Sequence, residues 1–113
     1  MTRVYVPATL DDLRRYVEAG AVPEGVERFV PADDDEESEY DALMAAADAS
    51  ADLLDGPGRR VVVVGEVADP DSMIEWSRVR AVHADPAEVD PSASELPDPG
   101  WYATQEVDEL LAD

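Results

Sequence analysis

"RRVVVVGEV", residues 59–67, is the stretch on which the fold turns. Four successive valines are apolar on both faces of an extended chain, the pattern of a central strand covered on both sides. Gly65 inside the run marks a bulge or a close backbone approach. Just upstream, Gly56-Pro57-Gly58 stops a helix and turns the chain. That helix starts in "ADDDEESEY" (32–40), whose acids fall ahead of and within a first turn where the dipole favours them. Tyr40, Leu43, Met44, Ala47, Ala51 and Leu54 recur at helical spacing as its apolar face, with Glu37, Asp41, Asp48, Asp52 and Asp55 opposite.

Outward from this core the pattern alternates. "RVYVP" (3–7) reads as a strand that Pro7 ends, and Thr9 as an N-cap with Asp12 completing a capping box. Leu10, Leu13 and Val17 make a helical stripe beside Tyr16, and Gly20 suits the C-terminal cap. "GVERFVP" (25–31) is a short strand candidate, 68–72 a loop, and 72–79 one helical turn. "RAVHAD" (80–85) alternates like a strand, with His83 and Asp85 on one face. Residues 86–100, acidic and proline-rich, form a loop. "WYA" (101–103) is a last strand, after which Thr104 caps a helix carrying Val107, Leu110 and Leu111. The order predicts a single α/β domain over 1–113: a small sandwich with a mixed sheet of four to five strands and two to three packed helices.

Composition narrows function by exclusion. The formal net charge is −20 over 113 residues, which opposes binding to nucleic acid and to anionic membrane surfaces. Cysteine is absent, removing disulfides, thiol catalysis and thiolate metal sites. No signal-peptide pattern opens the chain and no apolar run reaches membrane-spanning length, so the expected location is cytoplasmic. All eight basic residues are arginine, and lysine and asparagine are absent. That bias fits a GC-rich genome, and the excess of acids also suits a high-salt cytoplasm.

Three stretches together carry a likeness: "RVYVPATLDDL" near the start, "EYDALMAAADAS" followed by "RRVVVVGEV", and the terminal "WYATQEVDELL". They resemble a family of small actinobacterial proteins defined as a domain of unknown function. The resemblance spans most of the chain and implies an actinobacterial source. No activity, cofactor or catalytic residue is established for that family, so the resemblance carries no site residue across.

Tested as chemistry, the motifs give little. An EF-hand frame started at Asp33 places Asp33, Asp35 and Glu37 well but puts Ser38 where glycine belongs and Met44 where the bidentate glutamate belongs. His83 is the only histidine, with Asp85 placed to orient it, but no serine nucleophile is tied to it by spacing. Lysine is missing, so there is no phosphate loop of the usual kind. Arg59 and Arg60 follow a glycine turn and either grip an anion or offset the acids of the preceding helix. No metal and no cofactor is expected.

Two Ala-Thr turns remain, each linking a strand to a helix. If the first and last strands are parallel neighbours, Thr9 and Thr104 line one edge, with Gln105 and Tyr102 nearby and Arg59 or His83 contributing. Such an edge would hold a small polar ligand; simple helix capping is the alternative. Tyr5, Trp101 and Tyr102 belong to the core, or to a protein contact if exposed. The leading expectation is a non-enzymatic domain acting through a protein partner or a homodimer. A small enzyme or ligand-binding protein at the Ala-Thr edge is second, and an acidic mimic of nucleic acid, using Asp41, Asp48, Asp52 and Asp55, is third.

Overall fold

The computed structural model of the chain describes residues 1–112. The valine strand β3 (Val61–Val67) lies between β1 (Thr2–Ala8) and β5 (Val79–Ala84), and β6 (Gly100–Tyr102) lies beyond β5. Every neighbouring pair is antiparallel, where the strand–helix alternation had suggested a mixed sheet. A two-stranded sheet, unmarked in the sequence, pairs β2 (Ala21–Val22) with β4 (Ile74–Glu75). A 3-10 turn at Trp76–Arg78 follows β4.

Helices cover both faces of the sheet, so the α/β layering holds. On one face Val4, Val6, Val61, Val63 and Val82 pack with Leu13 and Tyr16 of α1 (Leu10–Ala19) and Val107 and Leu110 of α3 (Val107–Leu111). On the other, Tyr5, Val62, Val64 and Ala81 meet Ala42, Ala46 and Ala47 of α2 (Glu36–Asp52). The continuous valine run in β3 follows from this double burial. Gly65 answers both expectations: the β3–β5 register shifts at Val64/Gly65, and a Cβ there would sit 2.8 Å from Ile74 Cγ2.

Several local readings are corrected. Pro7 does not end β1, which runs through Ala8. Tyr5 exchanges both backbone hydrogen bonds with Phe29 (2.9 and 2.8 Å), so odd residues of β1 turn their peptide groups away from β3. Pro7 shares that side, and its missing N–H falls on the outer edge, where no ladder needs it. Residues 25–31 form no strand beyond that single bridge at Phe29.

α2 buries Ala42, Ala46, Ala47 and Ser50; of the expected stripe Ala47 is buried and Leu43 packs beside it, while Tyr40 is exposed and Met44, Ala51 and Leu54 are only half-buried. Alanines let the helix axis approach the sheet, and Ser50 supplies what a larger apolar residue could not. Its buried hydroxyl donates to the Ala8 carbonyl (2.7 Å) and accepts from the Val61 N–H (2.9 Å), tying the end of β1 to the start of β3.

Arg60 feels Asp48 of the preceding helix, but its main partner is elsewhere. It is 1 % exposed and forks onto fully buried Asp85, Nε to Oδ2 at 2.9 Å and Nη2 to Oδ1 at 2.7 Å. It also donates to the Pro97 carbonyl, and Gly58 and Val89 exchange backbone hydrogen bonds. The proline-rich segment between β5 and β6 is thus strapped to the start of β3 at two points.

Candidate functional site

The register sets one row of side chains across the α2 face: Pro7, Val62, His83 and Trp101, each directly opposite the next. α2 covers the β1 and β3 end of this face with alanines. The far end of the row, on β6, stays open. Trp101 is 62 % exposed and His83 half-buried beside it. Tyr40 of α2 is exposed, and its hydroxyl donates to Asp98, three residues before Trp101, at 3.1 Å from either carboxylate oxygen.

Between helix and sheet lies a hollow of about 200 Å³, lined by Arg3, Tyr5, Glu36, Glu39, Tyr40, Leu43 and His83. Arg3 is held there by Glu39 (2.6 Å) and Glu66 (3.2 Å), and the Tyr5 hydroxyl also donates to Glu39 (3.2 Å). Arg80 holds the other oxygen of Glu66 at 2.8 Å; with Arg3 it keeps this carboxyl below its usual pKa. Burial lowers the pKa of His83, so the imidazole is neutral at neutral pH. Burial raises the pKa of Tyr5, and the Glu39 carboxylate adds to it. The hydrogen bond to Asp98 raises that of Tyr40.

The chain as a whole answers to a model of a family of unknown function, DUF6912, over residues 2–111. It belongs to DUF6912. No curated protein and no solved structure matches it.

The residues of this DUF6912 chain singled out from the sequence fall in three places. Thr9 caps α1 as expected: its hydroxyl accepts from the Asp12 N–H, and Asp12 accepts from the Thr9 N–H, both at 3.1 Å. Arg59, whose Nε donates to the Asp85 carbonyl at 2.6 Å, lines the same shallow hollow of about 200 Å³ as Thr9. Tyr102 turns inward onto the α1 and α3 core, while Gln105 is exposed. Thr104 is the first residue of a 3-10 turn (Thr104–Glu106) instead of a helix cap, because Glu106 reaches back to the Ala103 N–H at 2.9 Å. His83 sits by itself in the α2-face row.

The shared Ala-Thr edge does not form. β1 and β6 are the two outer strands of the sheet, about 14 Å apart at normal strand spacing, and they run in opposite directions. Thr9 and Thr104 therefore leave opposite ends of opposite edges. Nor do His83 and Asp85 form a dyad, since Asp85 is taken up by Arg60. Among the described residues no cluster of three or more His, Asp or Glu side chains is placed to hold a metal ion, and no helix is long and apolar enough to cross a membrane.

The sequence reading missed Tyr40 as a surface group and undervalued Trp101. A signal was present: in a strand, neighbours point to opposite faces, so Trp101 and Tyr102 could not both enter one core.

Proposed function

We propose that this chain works as a protein-interaction domain, and that its contact surface is the part of the sheet face that α2 leaves open. The observation behind the reading is Trp101, 62 % exposed on an edge strand whose backbone is paired to β5 and whose side chain stands beside His83. Exposed tryptophan on a rigid element is an anchor of the kind that dominates protein interfaces, because it buries a large area with few rotatable bonds. Tyr40 and Leu43 line the neighbouring hollow together with His83, and the Arg3–Glu39 pair gives that hollow a polar rim.

A partner differing from this chain is favoured over a homodimer. Two copies would bring −20 against −20. The test is differential recovery. The tagged full chain and its Trp101→Ala variant are exposed to the same host-cell extract, and a protein held only by the first is then purified and titrated. At least ten-fold weaker binding by Trp101→Ala, with an unchanged circular dichroism spectrum, is expected. Equal recovery by both chains overturns the reading.

A further inference from the structure

We propose that the open α2 face takes an arginine-bearing segment of the partner, whose guanidinium lies against Trp101 and Tyr40 and whose charge is met by Glu36 and Asp98. This rests on the protein-contact reading and names its chemistry.

Charge points the same way at two scales. The whole chain carries −20. Locally, the hollow has one arginine against two glutamates. Arg3 is already neutralised by Glu39 and Glu66. The Glu36 carboxylate forms no hydrogen bond or ion pair among the described residues, while Asp98 accepts the Tyr40 hydroxyl and also lies in the field of Arg60. The surface thus offers the uncommitted Glu36 carboxylate beside the Tyr40 ring, in the same hollow. A guanidinium suits it better than an ammonium, since it stacks flat on rings and still donates in plane to carboxylates. His83, neutral because burial lowers its pKa, adds ring surface without a competing charge.

A second copy of this chain is a poor source of that cation. Seven of its eight arginines already donate hydrogen bonds within the chain: Arg3, Arg14, Arg15, Arg28, Arg59, Arg60 and Arg80. Arg28 is spent wholly on backbone carbonyls, including those of Pro23, Pro70 and Ser72.

The test uses the full chain labelled with nitrogen-15 and a capped six-residue peptide alternating leucine and arginine, at about 0.15 M salt, where surface charges beyond about 8 Å are screened. A control peptide carries citrulline, the uncharged isostere, in place of arginine. The two tryptophans give an internal reference, since Trp76 packs against the α1 and α3 core. We expect the Trp101 indole signal to shift saturably while that of Trp76 stays fixed. Trp101→Ala and Tyr40→Ala should each weaken binding at least ten-fold, and so should citrulline.

Equal binding of the citrulline peptide overturns the cationic assignment. So do shifts spread along Asp41, Asp48 and Asp52 that survive Trp101→Ala, which mean diffuse charge attraction. Concentration-dependent loss of the Trp101 signal without peptide, with a dimer in sedimentation, assigns the face to a second copy and also overturns it. The two readings fail separately. A partner lost by Trp101→Ala whose binding is unaffected by replacing its arginines leaves the contact reading standing and removes this one. Peptide binding alongside a partner retained by Trp101→Ala does the reverse.

Discussion

The two faces of one sheet meet their helices on different terms. On the α1 and α3 side, branched and long side chains interlock: Leu13, Val107 and Leu110 against valines of β1, β3 and β5, all nearly or fully buried. On the α2 side the helix contributes mostly alanine, against Tyr5, Val62 and Val64. Short side chains bring the helix close but give it little lateral reach. The first face is sealed across the sheet, and the second is sealed over β1 and β3 and open toward β6. A strand alternation that treats both faces alike still yields one structural face and one available face, because the covering helix sets the width of the cover.

Removing residues 101–113 should break the contrast most completely. It deletes β6 and α3, taking Val107 and Leu110, each 2 % exposed, from the sealed face and uncovering the edge of β5. Loss of a cooperative thermal transition is expected; a truncated chain that still melts cooperatively contradicts the closing role.

Next comes the strap that ties the proline-rich segment to the start of β3. Asp85→Ala leaves the Arg60 guanidinium buried without its carboxylate, held only by the Pro97 carbonyl, with a cost of about 3–5 kcal/mol in chemical denaturation. Replacing both residues, Arg60→Met with Asp85→Leu, removes the stranded charge and should recover most of that loss. A single variant as stable as the parent would mean that water reaches the pair.

The sharpest version of the comparison sets two large residues against each other. Leu110→Ala, on the sealed face, should cost about 2–5 kcal/mol. Trp101→Ala, on the open face, should change stability by no more than about 0.5 kcal/mol while abolishing partner recovery. Similar losses for both would show that Trp101 is a packing residue and the face closed.

How far this was legible depends on the kind of signal. Periodicity found β1, α1, α2, β3, β5 and α3, because each buries a continuous stripe or run. It missed β2 and β4, two residues each, which are too short to have a period. It had Ala47 and Leu43 of the sheet-facing side of α2 but centred the stripe on the wrong neighbours, since hydropathy weights Tyr40 and Met44 above Ala42 and Ser50, whereas close approach to a sheet selects small residues. The Arg60–Asp85 fork joins residues far apart in the chain, and local pattern cannot show a pairing created by register. For the same reason the site was seen only in pieces. His83 and Trp101 were both noted, but their adjacency is a product of β5 pairing with β6.

The smallest expected effect concerns His83, and it depends on the half-cover of the open face. Burial holds the folded-state pKa below the ordinary value of 6.5. Well above 6.5 neither folded nor unfolded chain protonates the ring, and His83 adds no pH dependence. As the pH falls from 6.5 toward the folded pKa, the unfolded chain takes up a proton that the folded chain refuses, so unfolding is favoured and stability declines. The groups facing the ring across the hollow are Arg3, Tyr5, Glu36, Glu39 and Tyr40, from β1 and α2. Arg3, Tyr5 and Tyr40 are all shifted upward, away from this window, and His83 is the one histidine of the chain. His83→Gln should flatten the stability profile between pH 7 and the onset of carboxylate titration, measured by urea denaturation at matched ionic strength. A parent profile already flat there would mean that the ring is fully solvated and the open end of the face wider than the structure gives. A slope that persists in His83→Gln would assign the proton uptake to another group. The same protonation places a positive charge beside Trp101, so binding of an arginine segment should weaken over the same fall in pH, in the parent and not in the variant.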